Sequence, residues 1–586
     1  MKNKEGKRAK HSFLQGALIL TIAALVVKVI GAIFKIPLAN ILGGDGMGYF
    51  TSAYDMYMPI YVLSNAGLPV AVARVVAESA SKGRFRDARR TLKIANIIFL
   101  ITGLLGCTVM LVGARWFVNF IGNPGAYLAV MTMAPTVLFV CLTCSFRGYY
   151  EGLQNMYPTA LSQVVEATVK LALGLGLSMW VYSTGINSFE ATGMVFGQKC
   201  ANYEAAKLVV LQYAAAASIA GVAFGAFCSA ASIFIRHKLV GDKITKAEML
   251  APQDVSSTRT IVKRIVTIAI PIALGSCVGQ LTGVIDLFTV MRRLHSAVDS
   301  NAAAIINMYG SAIPAGKLLE DIPNYLNGCY KGMAVTLYNL IPTFTVAMGI
   351  SALPPVTVAW TTRNVPALKR NVESVLRVTM LLVLPAGLSM AALSENILML
   401  LYGARPNEVA VAAPLLAILG IAVIFAATCS PINSMLQATG HAYLPLKIMA
   451  GCSVVKIVLN YVMVAIPEIN IRGAALSTLV CYILIMTISV FFLLRVTDIR
   501  PNFVSIFIKP LIAALLCAAS AFFACRGLDI FLPGKIATIA GIGVGVVVYL
   551  VSLVLIRAIS EEDIAMLPHG DKLVNFYRKL PGIKTK

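Results

Sequence analysis

Long apolar stretches separated by short basic segments dominate the chain. Windows of about 20 apolar residues have the length needed to cross a bilayer as a helix, and they predict fourteen such helices. The first seven lie near 13–36, 49–73, 92–113, 127–149, 158–182, 212–235 and 264–289. The second seven lie near 334–358, 375–393, 411–436, 444–466, 473–495, 506–525 and 536–557. The pattern predicts an all-α polytopic membrane protein.

Composition supports the same class. Hydrophobic residues make up 58% of the 586 residues, charged residues only 13%, and the mean hydropathy is +0.81. A soluble domain is nearer half apolar and a quarter charged. The net charge of +23 could indicate a nucleic-acid partner. Because the basic residues form short clusters between apolar spans, as in the positive-inside pattern, we expect no nucleic-acid partner.

The basic clusters also predict the orientation of the chain. They occupy residues 2–10, 82–90, 236–264, 363–370 and 572–586. Each lies at a terminus or on an even-numbered connection between spans, so both termini are expected in the cytoplasm. The longer outer connections lie near 183–211 and 290–333. For the second of these, the sequence allows either a short amphipathic helix or a functional extracellular gate.

An internal repeat relates the two halves of the chain. Leu68-Pro69 recurs as Leu353-Pro354, and other matched segments recur at offsets of 283 to 287 residues. This offset predicts two pseudo-symmetric six-helix lobes in the same orientation, with a substrate site between them and rocking motion for transport. The predicted organisation begins with an N-terminal lobe at 1–240 and a cytoplasmic linker at 241–263. A C-terminal lobe follows at 264–497 and includes the outer loop 290–333. A final helix pair and a cytoplasmic tail occupy 498–586.

Two lysines interrupt the first apolar span. A charge near the middle of a bilayer costs roughly 2.5–3.5 kcal/mol and usually faces a water-filled interior. Lys28 and Lys35 are seven residues apart, which places them on the same helix face. We expect them to bind an anionic substrate, since lysine binds phosphate well as a point charge. The alternatives are pairing with Asp55 or Asp286, and snorkelling of Lys35 to the headgroups.

Asp286 and Arg74 complete the predicted cavity. Asp286 lies deep in the seventh span, where an unpaired carboxylate is costly. We favour pairing with Lys28 or Lys35 over a role in ion or proton coupling. Arg74 is four residues before Glu78, so an intrahelical pair is as consistent with the sequence as substrate contact.

Charged residues also bracket the predicted cytoplasmic entrance. They could form a gate or a purely structural network, and the sequence does not separate the two. These residues are Glu78, Arg147, Glu151, Glu166 and Lys170.

No enzyme signature is present in the sequence. A G-x-x-x-x-G-K-[ST] phosphate-binding loop is absent, so ATP is not expected as the direct energy source. The five histidines do not form a metal-ligand spacing with cysteines or acids, and neither a metal nor a cofactor is predicted. Cys141 and Cys144 lie on one face of a predicted membrane helix and are interpreted as small buried hydrophobic residues.

Three segments resemble a known family. Residues 146–166 read FRGYYEGLQNMYPTALSQVVE, residues 384–388 read LPAGL, and residues 456–475 begin with KIVLNY. They resemble the SpoVB/YtgP group of polysaccharide-biosynthesis membrane proteins. These are relatives of the MurJ-type lipid II flippases in the multidrug/oligosaccharidyl-lipid/polysaccharide exporter superfamily. The match extends over nearly the whole chain, and fourteen spans fit MurJ-like members better than drug exporters.

The resemblance implies a flippase that moves an undecaprenyl-pyrophosphate-linked cell-wall precursor, preferably lipid II, to the outer leaflet of the bacterial cytoplasmic membrane. It implies a monomer with alternating access, whose basic cavity residues hold the pyrophosphate. Lys28 and Gly31 match a basic residue and a glycine of the family's first span, and Lys35 lies one residue from a second basic position. A flippase for another lipid-linked glycan, a cation-coupled multidrug exporter and a scaffold for envelope enzymes are the alternatives. The membrane potential or a coupled Na⁺ or H⁺ could drive transport.

The first prediction concerns topology. Single cysteines at positions 86 and 246, in a cysteine-free background, should be protected from a membrane-impermeant thiol reagent in intact cells, because the basic loops are cytoplasmic. Labelling after permeabilisation is the control for reactivity. Outside labelling of either position would show that the orientation is inverted.

Overall fold

The computed structural model describes residues 2–65, 67–242, 244–250, 255–279, 281–314, 317–556 and 558. These residues are almost entirely helical. Packing divides the chain into unit 1, Met1–Met333 with Ile457–Ile471, and unit 2, Ala334–Lys456 with Arg472–Lys586. The lobes at 1–240 and 264–497 are based on the sequence repeat, and they stay a prediction. The cytoplasmic tail predicted after residue 558 lies outside the described residues.

Unit 1 contains the N-terminal helices and the only strand pair in the described part of the chain. The helices are α1 Lys2–Asn65, α2 Leu68–Ser81, α3 Phe85–Phe120, α4 Tyr127–Gly152, α5 Tyr157–Thr192, α6 Tyr203–Val240, α7 Lys246–Leu250, α8 Thr258–Gly279, α9 Leu281–Tyr309 and α10 Ile322–Gly328. Strands β1 Met194–Val195 and β2 Gln198–Lys199 pair antiparallel. Short 3₁₀ turns lie at Pro124–Ala126, Gly310–Ala312 and Leu319–Asp321, and a π-helical turn lies at Cys329–Ala334.

Unit 2 contains most of the remaining helices. They are α11 Val335–Tyr338, α12 Leu340–Thr361, α13 Val365–Ala392, α14 Ser394–Tyr402, α15 Pro406–Ala438, α16 Tyr443–Met463, α17 Ile471–Thr497, α18 Lys509–Leu528 and α19 Gly534–Leu555, with a π-helical turn at Val504–Ile508. The last residues of α16 belong to unit 1.

Helix α1 reverses direction at Gly43. The ring centroids of Phe34 and Phe50 are 6.2 Å apart, although sixteen residues of straight helix would separate them by about 24 Å. Gly43 is non-helical, with φ 62° and ψ −164°, a conformation that glycine adopts at little cost. Helix α1 is therefore two antiparallel stretches, which correspond to the first predicted span and the beginning of the second.

The membrane-spanning character of the chain is confirmed. Among the described residues, twelve helical stretches are long and apolar enough to cross a membrane. One of them, Ile22–Val62, contains two predicted spans because of the reversal at Gly43. Helices α8 and α9 cover the predicted seventh span at 264–289 and are not among the twelve. These two differences account for the fourteen predicted spans, and the all-α polytopic fold class is confirmed.

The segment 290–333, expected to be an outer loop, is largely helical. Helix α9 continues to Tyr309, and the chain is helical again from Ile322 through α11. Residues 322–330 are all buried. Buried backbone must satisfy its own hydrogen bonds, and a helix does so locally. Helix α10 is consequently a core element of unit 1, whereas the sequence led us to expect an outer loop that carries a short amphipathic helix or acts as a gate.

Glycines allow α10 to approach α1 at backbone distance. A Cβ atom on Gly328 would lie 1.8 Å from the carbonyl oxygen of Gly44, and one on Gly48 would lie 2.1 Å from Asn324 Oδ1. Small residues at helix interfaces allow such contact in membrane proteins.

Gly328→Ala should therefore destabilise the protein by at least the 1–3 kcal/mol typical of overpacking. Gly176→Ala is the matched control, since a Cβ there meets nothing within 4 Å. Thermal unfolding of the detergent-purified protein measures the difference. Equal melting temperatures for the two variants would contradict the close packing of α1 and α10.

Candidate functional site

A group of charged side chains lies inside unit 1. Lys331 Nζ forms an ion pair with Asp55 Oδ2, and the two side chains are only 13% and 21% exposed. Asp55 lies on the second stretch of α1, and Lys331 lies on the π-helical turn after α10. The close packing of α1 against α10 brings them together. Lys331 was not predicted as a site residue, because its segment was expected to be an outer loop.

Lys35 faces the same group from the first stretch of α1. Its ammonium is desolvated and interacts electrostatically with Lys170, Asp55 and Lys28. Lys28 itself is exposed. The reversal at Gly43 places Lys35 and Asp55 near one another, although they are 20 residues apart in the sequence.

Lys170 belongs to this group through aromatic contacts. Its Nζ lies 4.9 Å from the ring centroid of Phe34 and 5.7 Å from that of Tyr54. Such contacts stabilise a cation by about 0.5–2 kcal/mol, depending on its desolvation. The sequence interpretation grouped Lys170 with the cytoplasmic entrance, whereas the structure places it beside the lysine-bearing stretch of α1.

The guanidinium of Arg147 connects three helices, at a position one helical turn from Lys170 on α5. It is 3.0 Å from Glu166 Oε2 and donates hydrogen bonds to Ser162 Oγ at 2.9 Å and Ser229 Oγ at 3.2 Å. These contacts join α4, α5 and α6. Glu151 is half-buried at the end of α4 and interacts electrostatically with Arg147. Of the predicted gate residues, Arg147, Glu151 and Glu166 therefore form one network, and its role as a gate stays a prediction.

Asp286 lies near a polar residue of α16. Its Oδ1 accepts a hydrogen bond of 2.8 Å from Asn460 Nδ2, which also donates to Thr289 Oγ1 at 3.2 Å. The Asp286 carboxylate interacts electrostatically with Asp55, so it lies within electrostatic range of the Asp55–Lys331 ion pair. The pairing of Asp286 with Lys28 or Lys35 stays a prediction.

Glu78 and Arg74 lie away from this group. Glu78 Oε1 is 2.6 Å from Lys82 Nζ and 3.4 Å from Arg264 Nη1. Arg74 is exposed on α2. The Glu78 carboxylate contacts Lys82 and Arg264 and interacts electrostatically with Arg74, so the intrahelical pairing of Arg74 with Glu78 stays a prediction.

A second polar network lies at the bend of α1, next to Gly43. Lys317 Nζ is 2.7 Å from Asp45 Oδ2, and Asn324 Nδ2 donates to the backbone oxygen of Asp45 at 3.0 Å. Asn123 Nδ2 donates to Asn324 Oδ1 at 2.8 Å. Sequence reasoning missed this network. A signal for the helix that carries Asn324 was present, because Asn324, Asn327 and Lys331 are spaced by three and four residues, as on one face of a helix.

At the end of unit 1 opposite Gly43, Asp242 contacts residues of α3 and α4. Arg89 contacts both carboxylate oxygens of Asp242, at 2.7 and 2.8 Å, and Tyr149 donates a hydrogen bond at 2.8 Å. Burial raises the pKa of Asp242, but the hydrogen bonds from Arg89, Tyr149 and the Ile244 backbone outweigh burial and lower it to about 2. Asp242 stays ionised near neutral pH and holds the predicted linker against α3 and α4.

The interior group is suited to an anion. Lys35, Lys170 and Lys331 outnumber the carboxylates of Asp55 and Asp286 in that part of unit 1. The surrounding apolar protein has a low dielectric constant, which strengthens the attraction between this excess of positive charge and an anionic group. Within the described residues, no group of three or more His, Cys, Asp and Glu side chains could hold a metal ion.

Curated relatives cover nearly the whole chain. The membrane protein YabM of Bacillus subtilis (strain 168) is 22% identical over 577 residues, covering 97% of both chains. Stage V sporulation protein B of the same organism is 22% identical, covering 97% of this chain and 99% of its own. The lipid II flippase MurJ of that organism is 21% identical, covering 80% of each.

Solved structures share the fold. A lipid II flippase MurJ in an inward closed conformation superposes with a TM-score of 0.61 at 14% identity, covering 92% of this chain and 99% of its own. An inward-facing multidrug resistance MATE family transporter gives a TM-score of 0.55 at 16% identity, covering 82% and 99%. At these identities the likeness shows the fold alone, which MurJ and MATE proteins have in common.

Family models agree with the resemblance found in the sequence. The model of the MatE family matches residues 331–462. The model described as polysaccharide biosynthesis protein matches residues 13–371, more than half of the chain. Together with the polytopic helical fold and the SpoVB and MurJ relatives, this match shows that the chain belongs to the polysaccharide biosynthesis protein family of the multidrug/oligosaccharidyl-lipid/polysaccharide exporter superfamily.

Proposed function

We propose that the protein is a flippase that moves a polyprenyl-pyrophosphate-linked cell-wall precursor from the inner to the outer leaflet by alternating access, with lipid II as the preferred substrate. The observation that supports this proposal is the excess of lysines inside unit 1. Maintaining Lys35, Lys170 and Lys331 in a desolvated region is costly. An anionic cargo explains why a membrane protein retains them.

The pyrophosphate is proposed to bind between Lys35, Lys170 and Lys331. Lysine binds phosphate as a point charge with three donors on a flexible stem. The carboxylate of Asp55 neutralises Lys331 while no substrate is bound. Binding then requires Lys331 to exchange one anionic partner for another, so the positive charge is never left uncompensated in the apolar interior.

The sign of this charge also separates the alternatives. A cation-coupled multidrug exporter, which the MATE fold would suit, needs acidic cavity residues to attract cationic compounds. The interior lysines would repel such compounds, by about 4 kcal/mol for two like charges at 4 Å with an effective dielectric constant of 20. A flippase for another lipid-linked polysaccharide has the same charge requirement and differs only in the sugar that is carried.

The membrane potential is the proposed energy source. An inside-negative potential favours outward movement of negative charge by about 2.3 kcal/mol per charge per 100 mV. A coupled Na⁺ or H⁺ is the alternative. The protein is proposed to act as a monomer in the bacterial cytoplasmic membrane, with both termini in the cytoplasm and membrane lipids around it.

Depletion in a strain that lacks other flippases tests the function. If the proposal is correct, lipid II accumulates in the inner leaflet and external lipid II falls, as measured by its accessibility to an impermeant reagent in intact cells. A plasmid copy of the gene is the control and should restore external lipid II. Normal external lipid II without the protein would reject lipid II as the substrate.

Lysine substitutions test the binding site in the same strain. Lys35→Ala should abolish complementation at normal protein levels, because a substrate-binding charge is lost. Lys35→Arg should retain much of the activity, since the charge is kept, and Lys35→Glu should be worse than alanine because it repels the substrate. Lys82→Ala, in the loop after α2, is the matched control. Full activity of Lys35→Ala would remove this lysine from the site.

A double-mutant cycle separates substrate binding from ion pairing at Lys331. Lys331→Ala leaves Asp55 without its partner, so both stability and transport should fall. Adding Asp55→Ala should restore thermal stability but not lipid II transport. Recovery of transport in the double variant would mean that the pair is structural only.

A further inference from the structure

An apolar groove lies on the outside of unit 1, away from the lysine group. It has a volume of about 470 Å³ and is lined by residues of α3, α4 and α6. Its walls include Ile97, Leu100, Phe139, Phe227 and Phe234. This volume lies in the range of small-molecule sites, about 300–1,000 Å³.

Aromatic pairs form the floor of the groove between α4 and α6. The rings of Phe139 and Phe227 are 5.2 Å apart, and those of Phe146 and Phe234 are 6.1 Å apart, both in edge-to-face arrangements. Asn96 contributes polar atoms to the lining, and its Oδ1 accepts a hydrogen bond of 2.5 Å from Ser145. The groove therefore offers almost pure hydrocarbon contact.

The open side of the groove faces outward. The exposed fractions of Ile97, Leu100, Phe227 and Phe234 are 59%, 41%, 47% and 45%. In a membrane protein such a side meets lipid, since apolar residues of a spanning helix lie within the hydrocarbon.

Two lysines lie at one end of this groove. Lys93 precedes Ile97 by four residues on α3, and Lys238 follows Phe234 by four residues on α6, so each shares a helix face with the lining. Lys238 Nζ lies 4.8 Å from the centroid of the Phe234 ring. Helix α3 begins, and antiparallel α6 ends, at that same end of unit 1, so both ammonium groups lie beyond the same end of the groove. Two carboxylates near this end already have partners, since Asp242 is paired with Arg89 and Asp87 accepts hydrogen bonds from Ser256.

We infer that this groove binds one acyl chain of an anionic phospholipid, while Lys93 and Lys238 hold its headgroup phosphate. The apolar walls match a hydrocarbon chain, and the two charges match a phosphate at the interface. Basic pockets between membrane helices on the cytoplasmic side bind anionic headgroups in this way. The lipid is a bound component of unit 1 and not the transported cargo, because the groove is separate from the lysines inside the unit.

Lipid titration of the purified full-length protein, followed by native mass spectrometry, tests this inference. Phosphatidylglycerol should bind more tightly than phosphatidylcholine with the same acyl chains. The variant Lys93→Gln/Lys238→Gln should reduce the affinity for phosphatidylglycerol by about fivefold for each lysine removed, to the level of phosphatidylcholine. Ala231→Trp, which fills the groove, should weaken the binding of both lipids.

Matched controls identify the site. Lys82→Gln removes a charge from the loop after α2, and Val112→Trp adds bulk at a 78% exposed position of α3 away from the groove. Neither should change phosphatidylglycerol binding, and all variants should melt within a few degrees of the wild type. Equal binding of the two lipids by the wild type, or unchanged binding by Ala231→Trp, would overturn the inference. Displacement by undecaprenyl phosphate but not by excess phosphatidylglycerol would also overturn it and assign the groove to a prenyl tail.

Discussion

The free-energy cost of burying charge is the constraint on which unit 1 depends. Even after relaxation of the protein, a desolvated ion costs several kcal/mol unless a partner compensates it. Lys331 is compensated by Asp55, and Lys170 lies over the Phe34 and Tyr54 rings. Lys35 is within electrostatic range of the same Asp55. These contacts exist only while the reversal at Gly43 and the close packing of α10 keep the helices in place.

Features that depend on local sequence could be predicted. The apolar windows predicted the spans, including the first two, between which the chain reverses at Gly43. Lys28 and Lys35 were identified because each stands alone among apolar neighbours, and the cost of such a charge is itself a local property. The fold class followed from the same windows, since a bilayer admits few alternatives to the spanning helix.

Partnerships between distant residues could not be predicted. Asp55 and Lys331 are 276 residues apart, and the glycines, prolines and acids before Lys331 are also typical of a loop. Glu166 and Lys170 are four residues apart on α5. This spacing does not indicate that Arg147 contacts Glu166 while Lys170 lies against aromatic rings. The contact of Glu78 with Arg264 could not be predicted either, since the two residues are 186 positions apart in the sequence.

The fold restricts the possible substrates less than the buried charges do. MurJ and MATE structures both superpose on this chain, so the arrangement of helices alone does not distinguish between these two kinds of protein. In the proposed alternating access, a cargo replaces the interactions that the interior loses when it opens, and the sign of the interior charge selects the cargo. In the proposed function, a pyrophosphate replaces the carboxylate of Asp55 at Lys331, and the energetic cost of retaining buried lysines is then a means of selecting an anionic substrate.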